Sequence, residues 1–272
     1  MKRPLNRCSP FNILITNDDG FESEGLLTLV KTIKSIENVI VTVVAPTTEK
    51  SACGHSLTLT KPLRFVEIED NFFKLDDGTP SDCVYLATHA LYKNKPDLVI
   101  SGINKGSNMG EDITYSGTAS AAMEAVLQGI PAFSISQVCK DKYKSLQIHG
   151  YDLACEVAKD ITERLLKNEI NIGKRKFLNI NIPPIKKEDL KGYKITEAGF
   201  RLYGNDAHLH RNPRGEEYYW IGIHPLQWES RNADIMCDLD AIEQKFVSIT
   251  PIQLNLTSYD EIENLRHLEN EI

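Results

Sequence analysis

The sequence predicts an α/β fold: a Rossmann-like, doubly wound and mostly parallel sheet with a β-rich C-terminal extension. Three observations point there. Short runs rich in β-branched residues recur through the first two-thirds of the chain, helical repeats lie between them, and the alternation demands parallel crossovers with helices on both faces.

The elements follow in order. "FNILIT" (11–16) reads as a strand, "GLLTLVKTIKSI" (25–36) repeats apolar residues at three and four, and "NVIVTVVAP" (38–46) is the next strand. "SDCVYLATHALYK" (81–93) is helical, "DLVISGIN" (97–104) is a strand, and "GTASAAMEAVLQG" (117–129) is a small-residue helix closed by Gly129 and Pro131. "PAFSIS" (131–136), the helix "YDLACEVAKDITERLLKN" (151–168) and the strand "KFLNINIPP" (176–184) complete the α/β part. Beyond it, "YKITEAG", "EEYYWIGI" and "KFVSITPIQLNLT" read as antiparallel strands and hairpins, followed by an acidic helix from about residue 258. The expected division is a catalytic α/β domain over 1–184 and an extension over 185–272.

Composition narrows the function. With 272 residues, 41% hydrophobic and 25% charged, the chain is long enough to bury a large core. Its net charge of -7 offers no basic face by count, which argues against a nucleic-acid polymer as partner. No apolar run is long enough for a membrane span and residues 1–12 lack a signal-peptide core, so a cytoplasmic protein with no membrane partner is expected. Six scattered cysteines with no C-x-x-C pair give neither a zinc ribbon nor a disulfide framework.

The chemistry begins at "NDDG" (17–20), where Asp18 and Asp19 stand side by side. Adjacent carboxylates repel, and the repulsion grows with burial unless a cation sits between them. Against this stands an ordinary turn, with Asp19 capping the helix near Glu24. Ligands of open α/β sheets bind outside the carboxyl ends of the strands. The segments there are Asn17–Gly20, "PTTEKSACGHSLT" (46–58) and "SGINKGSNMGED" (101–112), all polar or glycine-rich. Their carboxylates, hydroxyls and amides are hard oxygen ligands, suited to Mg²⁺, Mn²⁺ or Ca²⁺ rather than zinc. Asn104 also fits a turn, and Ser51 a solvated loop.

Ser116, Gly117 and Thr118 precede a helix whose free N–H groups and positive dipole end attract phosphate, or else they simply cap it. Gly106 and Gly110, flanking Ser107 and Asn108, let backbone amides approach an anion. His55, in "GHS", is the histidine placed within the presumed cation loop.

The ordered set "ITNDDG", "SACGHSLT", "GTPSDCVYLA", "PDLVISGINKGSNMG", "YSGTASAAMEA" and "VSITP" resembles the SurE family, the survival-protein-E nucleotidases, over nearly the whole chain. The resemblance implies a divalent-metal-dependent phosphatase acting on nucleoside 5'- and 3'-monophosphates, with short polyphosphate as a further substrate. It implies one divalent ion per subunit (Mg, Mn or similar) held by Asp18, Asp19, Ser51 and Asn104, with Asp18 and Asp19 catalytic. The phosphate and substrate would meet Asn17, Gly106, Ser107, Asn108, Ser116, Gly117 and Thr118. Water and an aspartate carboxylate both remain open as the attacking group.

Assembly as a homodimer or homotetramer through C-terminal elements is implied too, and the aromatics of "EEYYWIGI" fit it. The chain departs from the pattern in about ten residues before its first strand, in Cys53 where a small residue such as Ala or Val is common, and in Asn255 where many relatives carry Asp. Two rivals stand beside this. A haloacid-dehalogenase-type phosphatase needs D-x-D, which Asp18-Asp19-Gly20 lacks. A non-catalytic nucleotide-binding regulatory protein would share the fold without needing the full oxygen set.

Overall fold

The structure, a computed structural model, describes residues 9–139, 150–229, 232 and 234–270. Of the stretch expected ahead of the first strand, residues 1–8 lie outside these.

The chain runs β1 (Phe11–Thr16), α1 (Glu24–Lys34), β2 (Val39–Pro46), β3 (Arg64–Glu69), β4 (Phe72–Asp76), α2 (Pro80–Leu86), β5 (Leu98–Lys105), α3 (Gly117–Leu127) and β6 (Ala132–Gln137). It continues through α4 (Asp152–Leu166), β7 (Lys176–Ile182), β8 (Tyr193–Ile195), β9 (Phe200–Arg211), β10 (Glu217–Glu229), α5 (Asp238–Glu243), β11 (Val247–Gln253) and α6 (Tyr259–Leu265).

Nine strands form one sheet in the order β3-β4-β2-β1-β5-β6-β7-β11-β8. The six from β4 to β7 are parallel, whereas β3 and β11 join antiparallel to their inner neighbours. The expected doubly wound α/β fold is therefore present. Parallel strands covered on both faces read as continuous apolar runs, which is why β1, β2, β5 and β6 are legible in the sequence. Ile13, Ile15, Val43 and Ile100 face α1 and α4 in one core, and Leu14, Val44 and Val99 face α2 and α3 in the other.

The helices are amphipathic to different degrees. α1 buries the stripe Leu26, Leu29, Val30 and Ile33, as its three-and-four spacing dictates. α3 is buried nearly all round, and its alanines and serines let its backbone lie close to the sheet.

Three features differ from the sequence expectations. The edge hairpin β3–β4 was not anticipated, because β3 ("RFVEIE") is mostly solvent-facing and charged, with little apolar alternation to mark it. The helix expected over 81–93 is α2 followed by a wider π turn, Ala87–Leu91. The sheet also runs across the expected boundary at 184, since β11 pairs with β7 through Ile249↔Ile180 and β8 lies beyond it. What stands apart is the hairpin of β9 and β10, whose strands pair only with each other.

Candidate active site

The chain leaves β1 toward β2 on one side and reaches β5 on the other, so the strand order reverses between β1 and β5. Such a switch point opens a crevice at the strands' carboxyl ends. Residues 17–20 and 106–110 line its two sides. α1 starts hard against this end: a Cβ on Gly25 would stand 2.1 Å from the Ile103 carbonyl oxygen, so no side chain fits there.

Asp18 is 4% exposed. The Thr118 hydroxyl donates to its Oδ1, and its backbone carbonyl accepts from Lys50 N–H at 2.7 Å. Burial pushes the Asp18 carboxyl up to about 6, with the Asp19 charge adding to the rise and the Thr118 hydrogen bonds opposing it. No ion pair neutralises either aspartate among the described residues. The start of α3 approaches Asp18 closely: a Cβ on Gly117 would lie 2.8 Å from Asp18 Cβ and 2.9 Å from Oδ2. Glycine at 117 keeps that oxygen unobstructed.

Asp19 does not cap α1. That position is Ser23, and Asp19 Oδ2 instead accepts from Lys105 N–H at 3.0 Å, which ties the β1 loop to the end of β5. Burial also raises the Asp19 carboxyl, while the Lys105 backbone bond opposes it. Asn104 is buried and donates through Nδ2 to the Gly106 carbonyl at 3.0 Å, which leaves its oxygen as an acceptor. Asn17 Nδ2 donates to Gly20 O and Ser23 Oγ, and its Oδ1 is buried with no partner among the described residues. Ser51 is the outlier. It is exposed and its hydroxyl donates to Glu49 Oε1 at 2.7 Å, so only the neighbouring Lys50 backbone ties it to Asp18.

These residues fit a hard divalent cation. A buried Asp18 carboxylate, a half-buried Asp19 carboxylate beside it, neither in an ion pair among the described residues, and an amide oxygen without a donor form an oxygen-only set. Among the described residues no three His, Cys, Asp or Glu side chains gather into a metal cluster, so an ion here would draw on amide or hydroxyl oxygens besides the two carboxylates.

The anion side divides in two. Ser116 caps α3, its Oγ accepting from Ala119 N–H at 2.9 Å, and Thr118 braces Asp18. The Gly117 N–H has no acceptor among the described residues and sits at the positive end of the helix. In the 106–110 loop, however, the expected amide donors are largely committed. Gly106 N–H donates to Gln137 O at 2.9 Å, and Asn108 N–H to Asn181 Oδ1 at 2.9 Å. The half-buried Ser107 is the crest between them.

His55 Nε2 lies 2.9 Å from Glu124 Oε2, strapping the 47–56 loop to α3. Glu124 sits below its ordinary value: burial raises it, but the bonds from His55 and Gln128 prevail. Sequence reasoning missed Lys105, whose only signal was adjacency to Asn104. It also missed Asp238, fully buried at the start of α5, where Oδ2 accepts Gly110 N–H at 2.7 Å and Oδ1 accepts Gly199 N–H at 3.1 Å.

The chain is similar to known proteins over most of its length. The family model described as survival protein SurE matches residues 13–205. A 5'-nucleotidase SurE of Helicobacter hepaticus is 58% identical over 258 residues, covering 93% of this chain and 97% of that protein. The 5'-nucleotidase SurE of Nitratiruptor sp. is 56% identical over 258 residues, covering 93% and 98%. The crystal structure of the SurE protein from Aquifex aeolicus superposes with a TM-score of 0.80 at 38% identity, covering 95% of this chain and 100% of that one.

Proposed function

Because this chain belongs to the SurE family, we propose that it is a 5'-nucleotidase, a phosphatase that hydrolyses nucleoside 5'-monophosphates to nucleoside and phosphate in the crevice between β1 and β5. The observation that carries the reading is the adjacent Asp18–Asp19 pair, buried at Asp18 and half-buried at Asp19 with no ion pair among the described residues, against the first turn of α3.

In this reading Asp18, Asp19, Asn104 and, after a turn of its hydroxyl from Glu49, Ser51 hold one divalent ion per subunit. When bound, such an ion supplies Lewis-acid polarisation of the phosphoryl group. The chain's own residues do the rest. Thr118 fixes the Asp18 carboxylate through its hydroxyl, so the charge needs no reorganisation as the reaction proceeds. The Gly117 N–H and the α3 dipole would attract the phosphoryl oxygens, and the Ser107 and Ser116 hydroxyls are further donors in this reading. Asn17 holds the β1 loop in shape by bonding Gly20 O and Ser23 Oγ. The 3'-monophosphates and short polyphosphate present the same terminal phosphate and are further substrates in this account.

Assembly follows from the hairpin. Trp220 and Ile221 are 64% and 82% exposed on an otherwise isolated two-stranded ribbon, and a second copy would bury them as a homodimer or homotetramer. A cytoplasmic site of action is part of this reading; among the described residues no helix is long and apolar enough to cross a membrane.

The test is a panel of 5'- and 3'-monophosphates, tripolyphosphate and an aryl phosphate, each with Mg²⁺ or Mn²⁺. Turnover of the 5'-monophosphates is expected above the aryl phosphate. A protein that binds these nucleotides yet releases no phosphate with any divalent ion would instead be the non-catalytic nucleotide-binding module.

A further inference from the structure

We propose that Asn179 and Asn181, on β7, are positioning residues that preset the 106–110 loop for phosphate; the proposal rests on the phosphatase reading above. Both are 0% exposed, in the interior of a sheet where Val or Ile is the usual occupant. Two buried amides cost free energy unless every polar atom is paired, and here each is paired. Asn179 Oδ1 accepts from Ser134 Oγ at 2.8 Å and its Nδ2 donates to Asn108 O at 2.7 Å. Asn181 takes both backbone groups of Asn108: Oδ1 accepts the N–H at 2.9 Å and Nδ2 donates to the carbonyl at 2.9 Å.

Asn181 thus offers Asn108 the donor–acceptor pair that a neighbouring strand would offer. A carboxamide supplies that pair, whereas a carboxylate only accepts and an aliphatic chain does neither. Asn108 Nδ2 is held as well, by Ser136 Oγ at 2.9 Å. On the other side of the crest, Gly106 N–H is bonded to Gln137 O at 2.9 Å. Ser107 is therefore clamped one residue away on each side and is the part of the loop left to meet a ligand. Asn108 serves as the loop's anchor rather than as a phosphate donor, and β7 rather than β5 sets where Ser107 stands.

The experiment compares wild type, Asn181→Leu, Asn181→Ser as a smaller substitute if the leucine variant does not fold, and Thr196→Val. Thr196 bonds Ser248 and Thr250 in the same sheet and is buried, but does not touch the loop. For each protein, kcat and KM are measured on a nucleoside 5'-monophosphate and an aryl phosphate, together with inhibition by inorganic phosphate and the melting temperature. The expected result for the Asn181 variant is a loss in kcat/KM of about 10- to 100-fold, equal on both substrates, with phosphate inhibition weakened in parallel. Thr196→Val should melt lower yet keep these constants within about twofold. Unchanged phosphate inhibition in a folded Asn181 variant overturns the proposal, and so does an equal kinetic loss in Thr196→Val. A wild type inactive on both substrates overturns the phosphatase reading itself.

Discussion

The crevice between β1 and β5 and the β9–β10 hairpin are both rich in residues that chemistry uses, yet they treat them in opposite ways. At the crevice, Asp18, Asn104 and Thr118 are buried and bonded to backbone or to one another before any ligand arrives. On the hairpin, His208, His210, Tyr219 and Trp220 stand in solvent on a ribbon with no other strand beside it. Buried polar groups held in fixed geometry cost the apo protein stability and return it as catalysis, because nothing needs reorganising during reaction. Exposed aromatics cost nothing until a partner covers them. The crevice fixes its polar groups in advance, whereas the hairpin leaves its aromatics exposed.

The largest effect that sharpens this contrast is loss of the paired charge. Asp18→Asn or Asp19→Asn should lower phosphate release by about a thousandfold or more at saturating Mn²⁺. Circular dichroism should show the fold unchanged. Activity within a few-fold of wild type would move the chemistry out of the crevice. Gly117→Ala comes next, since the new Cβ would press on Asp18 Cβ and Oδ2 at under 3 Å. A displacement of that kind costs about 100-fold in kcat/KM. Recovery in Gly117→Ala/Thr118→Ser would point to steric rather than dipolar cause.

Stability should move the opposite way. With the Asp18 carboxyl raised from 3.8 to about 6, the folded state holds that proton more tightly than the unfolded chain. Metal-free protein is therefore most stable below the unfolded value, loses stability as pH rises through that window, and is level above it. The loss amounts to up to about 3 kcal/mol. Urea melts of metal-free Asp18→Asn across this range should show a much smaller decline, the remainder belonging to Asp19, and an equal decline in both proteins would assign it to other groups.

Thr118→Val, which removes the brace on Asp18 but keeps the bulk, should cost about 1–2 kcal/mol in transition-state stabilisation. The smallest chemical effect belongs to the hairpin. Trp220→Ala should shift the assembly state seen by light scattering while leaving kcat per folded site close to wild type. A large kcat loss there would mean that the two regions are coupled.

How much of this was legible in the sequence differs by region for physical reasons. The central parallel strands β1, β2, β5 and β6 were plain because burial on both faces makes them largely apolar. Asp18 and Asp19 were plain because adjacent acids need a reason. The placement of β11 was not legible: "VSITPIQ" announces a strand but not which neighbour it takes, and that neighbour is β7. The two asparagines of "FLNINI" were also missed. Alternation of apolar and polar residues reads as a strand with one wet face, yet here the polar face is covered by the 106–110 loop and α3. Commitment of the Gly106 and Asn108 amides was hidden for the same reason, since a glycine-rich loop advertises open donors and only tertiary contacts reveal which are already used.

The most direct test is phosphate release from a nucleoside 5'-monophosphate by metal-stripped protein as Mg²⁺ or Mn²⁺ is titrated in, wild type beside Asp18→Asn. The account predicts no release without the ion, saturable recovery in wild type and none in the variant. Release by wild type that persists unchanged in excess chelator, or recovery in Asp18→Asn at the same ion concentration, would contradict it.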